Sequence, residues 1–235
     1  MSISGGYMSK YSRNEEILAL INSKGSVSVA ELSEKAYASP STIRRELERL
    51  EKQGLIRRYH GGAESVLSIR PTRIIRNQYN QNEKKLIAER AAAIVRPDSC
   101  IFIDASTTLQ YMIPYLSSVK NLTVYTNGAD TAIRLAETRV RVVCTGGELL
   151  PESMAYVGAQ AIDTVRKVYF DAVFFSSAGF DGSVVSDWSE AETVLRRTVI
   201  EQSAKSVFLA DSTKRGKRFT YIVCNISELD DVICE

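Results

Sequence analysis

Residues 39–62 read SPSTIRRELERLEKQGLIRRYHGG, a capped helix with a basic leading edge followed by a short basic hairpin. Ser39 can cap the free amides, Pro40 suits the first turn because it has no N–H to leave unpaired, and Ile43, Leu47 and Leu50 recur at i, i+4 and i+7. One face is therefore buried, and Ser41, Thr42, Arg44, Arg45 and Glu48 are left outward near the N-terminal end. That end enters the major groove in helix-turn-helix docking, where hydroxyls and guanidinium groups suit phosphates and guanine edges. Gly54 can stop the helix, and Leu55-Ile56-Arg57-Arg58-Tyr59 then alternates up to a Gly61-Gly62 turn, as a wing strand does. Upstream, Glu15–Asn22 and Val29–Ala36 carry apolar spacings for two further helices, joined to the third by a short turn at residues 37–39. Ser39, Ser41, Thr42, Arg44, Arg45, Arg57, Arg58 and His60 are thus the expected DNA contacts.

A plain three-helix bundle whose charges only solvate its surface is the competing reading, with Glu46, Glu48, Arg49, Glu51 and Lys52 forming an exposed face. Cap, seam, turn and wing agree against it. Charge distribution also favours DNA. Residues 1–76 hold 13 Lys and Arg against 8 Asp and Glu, a net +5, and residues 77–235 hold 17 against 20, a net −3, which together give the chain's +2.

The stretch Val27–Ala63, with Thr42-Ile43-Arg44-Arg45-Glu46-Leu47 and Arg58-Tyr59-His60-Gly61-Gly62-Ala63, resembles the DNA-binding domain of the DeoR family of bacterial sugar-metabolism regulators. It departs at Glu46, where the family more often has Asp, and at Tyr59, where an aliphatic residue is common.

The chain has 235 residues, enough for two domains, and its 44% hydrophobic and 25% charged residues are ordinary for a soluble globule. No apolar run approaches the roughly 18 residues of a membrane span, and Met1–Lys10 lacks a signal peptide's apolar centre, so a cytoplasmic protein is expected. Residues 1–8 are expected as a disordered tail, with Met8 an alternative start. Cys100, Cys144, Cys224 and Cys234 are spaced by 44, 80 and 10, which fits no close-set metal pattern, and buried reduced thiols are the expectation. His60, the single histidine, cannot by itself supply a metal site. Neither metal nor cofactor is expected.

Residues 64–82, with Pro71 and Arg70, Arg73 and Arg76, show no sustained periodicity and read as a linker between residues 9–63 and 83–235. From Glu83 an alanine-rich helical stretch precedes short apolar runs separated by helix-length segments, the signature of an α/β domain with a mostly parallel sheet. The runs are Cys100–Ile103, Leu122–Tyr125, Val140–Cys144, Ala172–Phe175 and Val207–Leu209, with Tyr221–Val223 and Val232–Ile233 as later candidates. Small, hydroxylated and glycine residues follow each of the first five. In open α/β sheets the ligand crevice lies outside the carboxyl ends of the strands, so these loops can converge. Ser106-Thr107-Thr108 would form a phosphate cradle at a helix start, and Gly146 and Gly147 would admit close backbone approach. Asp104 would accept sugar hydroxyls, and Lys214 would neutralise an anion. Thr126, Asn127 and Gly179 complete the expected effector site, and the composite fits a phosphorylated sugar.

These loops also resemble the C-terminal sensor domain of the DeoR family, which is similar in fold to ribose-5-phosphate isomerase and glucosamine-6-phosphate deaminase. Ile103-Asp104-Ala105-Ser106-Thr107-Thr108 matches the family's strand-Asp-x-Gly-Thr-Thr element with Ser106 in place of Gly, and Thr126-Asn127, Gly146-Gly147, Gly158, Gly179 and Asp211–Lys214 follow in order. A terminal helix of the family type is expected to be shortened or missing. The resemblance implies a repressor of a carbohydrate-metabolism operon, a homodimer or homotetramer that binds operator DNA under control of a phosphorylated sugar. A sugar-phosphate isomerase or deaminase fused to a nucleic-acid-binding module is the alternative. Asp104, Asp181, Asp187 and Glu190 are its possible acids or bases, but exposed loop carboxylates are the commoner explanation. A nonspecific RNA or nucleoid binder leaves the pocket loops unexplained.

Overall fold

The computed structural model describes residues 10–66 and 73–235, and the chain divides into two compact units that meet in sequence between Ile75 and Arg76. The expected tail at 1–8, and Arg70 and Pro71 of the expected linker, lie outside the described residues.

In the first unit, α1 (Lys10–Lys24), β1 (Ser26–Ser28), α2 (Val29–Lys35) and α3 (Pro40–Lys52) lead into the hairpin β2 (Ile56–Tyr59) and β3 (Gly62–Ser65). The Ser39 side chain accepts the Thr42 N–H, Pro40 occupies the first turn, and Ile43, Leu47 and Leu50 are buried. Gly54 ends α3 at φ +71, a left-handed value that favours glycine, and Leu55 N–H to Leu50 O (2.9 Å) with Gly54 N–H to Glu51 O (2.8 Å) completes a Schellman motif. β2 and β3 pair antiparallel with Tyr59 opposite Gly62 around a two-residue turn in which Gly61 has φ +94. A third strand joins them: β1 pairs with β3, Ser26 opposite Glu64. Three residues with one apolar side chain give too short a period to show in the sequence. Gly62 lies at this junction, where a Cβ would stand 2.5 Å from the Val27 carbonyl oxygen. Glu46, grouped above with exposed charges, is instead 4% exposed and faces Arg13 at 3.6 Å.

The segment expected as a linker contains the end of β3 and α4 (Arg73–Gln78), and α5 (Gln81–Ala92) begins within it. Then follow β4 (Cys100–Ile103), a 3-10 turn at Leu109–Met112, α6 (Ile113–Leu116), β5 (Thr123–Thr126), α7 (Ala129–Ala136) and β6 (Arg141–Cys144). The hairpin β7 (Glu148–Leu150) and β8 (Ala155–Val157) leads to α8 (Ala159–Arg166), β9 (Ala172–Phe175), β10 (Gly179–Phe180), β11 (Val184–Asp187) and α9 (Glu190–Glu201). β12 (Ser206–Leu209), a 3-10 turn at Ser212–Lys214, β13 (Tyr221–Asn225) and β14 (Asp231–Ile233) complete the chain.

Six strands form one parallel sheet in the order β14-β12-β9-β4-β5-β6. Alternation sends Ile101 and Ile103 to one face, against α5 and the Leu109–Leu116 segment, and Phe102 to the other, against Val165, Leu195 and Val199 of α8 and α9. Tyr221–Val223, grouped above with the apolar runs of the parallel sheet, belongs instead to a separate antiparallel sheet, β10-β11-β13, which packs on Phe175 and Phe208. Among the cysteines, expected to be mostly buried, only Cys224 is buried, its thiol pushed up to about 12 chiefly by burial; Cys100 and Cys234 are half-buried and Cys144 is exposed at the end of the edge strand β6.

Leu47, 1% exposed in the middle of α3, tests the first unit's core. Leu47→Ala is expected to destabilise that unit by about 2–5 kcal/mol, measured by urea unfolding followed by circular dichroism.

Candidate functional site

Two surfaces carry chemistry, one in each unit. In the first, the N-terminal turn of α3 presents Ser39, Ser41, Arg44 and Arg45 to solvent with Thr42 half-exposed. The hydroxyls cluster, Ser39 Oγ lying 2.9 Å from both Ser41 Oγ and Thr42 Oγ1, beside amides that have no intrahelical partner. Positive dipole, hydroxyls and two guanidinium groups together suit an anionic backbone. Arg57 and His60 are exposed on the wing, Arg57 only loosely paired with Glu64 at 3.8 Å. Arg58 is engaged otherwise than expected: its backbone N–H (2.9 Å) and Nε (2.7 Å) both donate to Glu51 near the end of α3. These bonds hold the Glu51 carboxyl below its ordinary value, the backbone bond most strongly. Arg58 thereby fixes the wing to the helix.

In the second unit, the order of strand addition reverses at β4 while all strands stay parallel: β5 and β6 extend the sheet on one side, β9, β12 and β14 on the other. The crevice of an open α/β sheet lies at such a switch point, here flanked by the loops that leave β4 and β9. Asp104 joins them, its Oδ1 accepting the Ser106 N–H (2.9 Å) and its Oδ2 the Ser176 N–H (3.2 Å) and Arg196 Nε (3.0 Å). Arg196, 7% exposed on α9, also donates to Asp187 Oδ2 (2.9 Å) and lies 3.8 Å from Glu192. Asp187 further accepts the Ser177 hydroxyl (2.8 Å) and the N–H groups of Ala178 (3.2 Å) and Ser189 (3.0 Å). Burial pushes the Asp187 carboxyl up, but Arg196 and these donors outweigh it and hold it below the ordinary 3.8. Burial works against the Arg196 charge as well, yet Asp187 and Asp104 raise its pKa further.

This geometry revises several expected roles. Asp104 is 1% exposed with both oxygens engaged inside the protein, so it organises loops and is not placed to receive a sugar hydroxyl. The Ser106 hydroxyl accepts the Thr108 and Leu109 N–H groups (3.1 and 3.4 Å), so it caps its own turn. Asn127 ties the β4 loop to β8, accepting the Ala105 N–H (3.0 Å) and donating to Tyr156 O (3.2 Å), and Thr126 accepts the Gly128 N–H (3.0 Å). Gly147, at φ +115, is pressed against β8, where a Cβ would stand 2.4 Å from Val157 O; the Cβ of a residue at 146 would meet Gln160 at 2.9 Å. Gly179 belongs to β10, its Cβ position 2.5 Å from Lys217 O, so it admits close approach of the segment that leads into β13. Of the acids considered for catalysis, Asp187 is buried, Asp181 is held well below the carboxylate range by Arg218 at 2.8 Å, and Glu190 is exposed at the start of α9.

Three expected residues retain capacity for a ligand. Thr107 is buried in the β4 loop, Thr108 Oγ1 is buried with no hydrogen-bond partner among the described residues, and Lys214 Nζ donates to Ser176 Oγ (2.8 Å) on the β9 loop. Burial pushes the Lys214 pKa down and Asp211 opposes that. Asp211, 2% exposed, accepts Asn80 Nδ2 (3.0 Å) and the Thr213 hydroxyl. Its carboxyl is raised by burial but lowered overall by Lys214, Thr213, Lys84 and Asn80. Arg76 adds to the lowering of Lys214, and Lys84 bonds the Arg76 carbonyl. The sequence reading missed Asn80, Lys84, Arg196 and Glu192, took Arg76 for linker, and gave Asp211 no role of its own. Their only signals were an Arg four residues after a Glu, which resembles a surface helix pair, an Arg in a stretch without periodicity and a Lys in the first turn of a helical one.

Comparison with known proteins matches residues 13–68 to a family described as the DeoR-like helix-turn-helix domain and residues 79–235 to the DeoR C terminal sensor domain. The chain is 35% identical over 228 residues to the HTH-type transcriptional regulator YulB of Bacillus subtilis, covering 95% of this chain and 88% of that protein. It is 29% identical over 234 residues to a lactose phosphotransferase system repressor of Staphylococcus epidermidis, covering 97% and 93%. Among solved structures, eIF2B delta from Chaetomium thermophilum overlaps 67% of this chain and 57% of its own with a TM-score of 0.50 at 12% identity, a likeness of fold alone.

The Arg196 network gives a test of the second unit. Arg196→Met leaves three buried carboxylates without their cation and is expected to destabilise the unit by about 3–5 kcal/mol at pH 7. In the parent protein the stability contributed by Asp187 is complete above 3.8 and is lost as pH falls through its lower folded value. In the variant the unpaired carboxylates are raised, so the deficit should shrink on acidification from pH 7 to 5, read from urea midpoints across pH.

Proposed function

Because this chain belongs to the DeoR family, we propose that it represses a carbohydrate-metabolism operon and is released from its operator by a phosphorylated sugar bound at the β4, β9 and β12 loops. The chain is a DNA-binding transcriptional regulator, not an enzyme. The observation that carries the effector reading is Lys214, a half-buried ammonium at the sheet's switch point, linked through Ser176 and Asp104 to the β4 loop that carries Thr107 and the partnerless Thr108 hydroxyl. A phosphate there meets a cation, a free hydroxyl and the further positive charge of Arg76 and Lys84. Two recognition helices of a homodimer or homotetramer would engage repeated half-sites. The effector would shift the population between DNA-competent and incompetent arrangements, a coupling of about 1–3 kcal/mol, or roughly 5- to 150-fold in affinity. Arg76 stands in α4, the helix that leads from one unit into the other, and so offers a route for that coupling.

On the DNA side, Arg44→Ala or Arg45→Ala should weaken operator binding by about 1–3 kcal/mol where the residue reads guanine, whereas Arg57→Ala should weaken all sequences alike and flatten the salt dependence. Operator titrations at several salt concentrations check this; unchanged binding in all three refutes the assignment.

On the effector side, a thermal-shift screen of phosphorylated hexoses, pentoses, tetroses and trioses should find a stabilising ligand, and calorimetry should show its binding lost in Lys214→Ala and Thr107→Ala with DNA affinity kept. Because the Lys214 pKa is lowered and an anion favours its charged form, affinity should fall as pH rises through that lowered value.

A further inference from the structure

Tyr37 is 96% exposed, more than any other large hydrophobic residue among those described. It stands in the turn between α2 and α3, two residues before the Ser39 cap, at φ +47. A bulky L side chain adopts this left-handed conformation only at a cost, and asparagine or glycine would fill it more easily. Backbone bonds already close the turn, Ala38 N–H to Ser33 O (3.1 Å) and Tyr37 N–H to Glu34 O (3.4 Å), so folding has no evident use for the ring. A strained, solvated aromatic therefore points to something outside the chain.

The surroundings select what that is. Tyr59, 46% exposed on the wing, is the other exposed large hydrophobic of this unit's described residues, too few among them to make an apolar patch for a protein partner. What does surround it in sequence is the hydroxyl cluster of Ser39, Ser41 and Thr42 and the guanidinium groups of Arg44 and Arg45. We propose that Tyr37 is a positioning contact to the DNA backbone, its hydroxyl donating to a phosphate oxygen beside the groove that α3 enters. Such a contact sets the register of the helix and is indifferent to base sequence. The inference rests on the reading of α3 as the DNA-facing helix.

The full chain is titrated by fluorescence anisotropy with a short mixed-sequence duplex at several salt concentrations, using Tyr37→Phe, Tyr37→Gly and, as control, Arg57→Ala. Tyr37→Phe should weaken binding about 3- to 10-fold, the loss of one hydrogen bond, and Tyr37→Gly at least as much. Tyr37→Gly should melt no lower than the parent, since strain is relieved and no packing is lost. A neutral phenol displaces no counterion, so the salt slope should stay that of the parent in both variants, while Arg57→Ala flattens it. Unchanged affinity in Tyr37→Phe overturns the proposal, as does a lowered melting temperature in Tyr37→Gly, which would make the ring part of the fold. If those results come with weakened binding by Arg57→Ala, the DNA-facing surface stands and Tyr37 alone is removed from it. If the parent chain ignores the duplex, or Arg57→Ala has no effect, the reading of that surface fails first.

Discussion

A guanidinium withdrawn from water must be matched on every side, and Arg196 is matched by Asp104 and Asp187 directly and by Glu192 one helical turn away. Three separate pieces of chain thereby become one: the loop leaving β4, the end of β11 and the face of α9. The remaining oxygen valences are filled by backbone N–H groups of Ser106, Ser176, Ala178 and Ser189, so the desolvation penalty is offset by bonds that also set the loops' course. Three acids around one base leave an excess of negative charge. Lys214, which feels both Asp104 and Asp187, lies where that excess draws a cation to the crevice.

The same network bears on chemistry. A general base needs an oxygen free to take a proton from a bound molecule, and Asp104 and Asp187 have theirs covered by donors. Lys214 and the hydroxyls of Thr107 and Thr108 remain, groups suited to holding an anion. A parallel α/β sheet of this kind does not by itself fix an activity, so what the crevice can do is decided by which of its side chains are already engaged.

Much of this was legible in the chain itself because the strongest signals are local. A cap, a proline at the first helical position and a 3.6-residue apolar spacing announced α3, and the apolar runs announced the parallel strands to within about a residue. What stayed hidden depends on distant partners. Val27 becomes a strand residue only because β3 lies beside it, and Arg196 becomes a hub only when β4 and β11 bring carboxylates to it. Asp104, Asn127 and Gly179 stand out in the sequence as ligand candidates, and in the structure they hold loops, since a loop that holds itself together uses the same small and polar residues as one that holds a ligand. Arg76 passed for a linker arginine and Lys84 for a solvated helix charge, because neither has a local signal that sets it apart until Lys214 and Asp211 are seen to be near them.

The two-point grip of Arg58 on Glu51 joins the wing to the end of the recognition helix before any nucleic acid arrives. A hairpin left loose would forfeit conformational entropy at the moment of docking, and that forfeit would be subtracted from affinity. Here part of it has been met during folding, so helix and wing are joined in advance, and under the proposed docking Arg58 would set where its neighbour Arg57 meets the backbone without touching a phosphate itself.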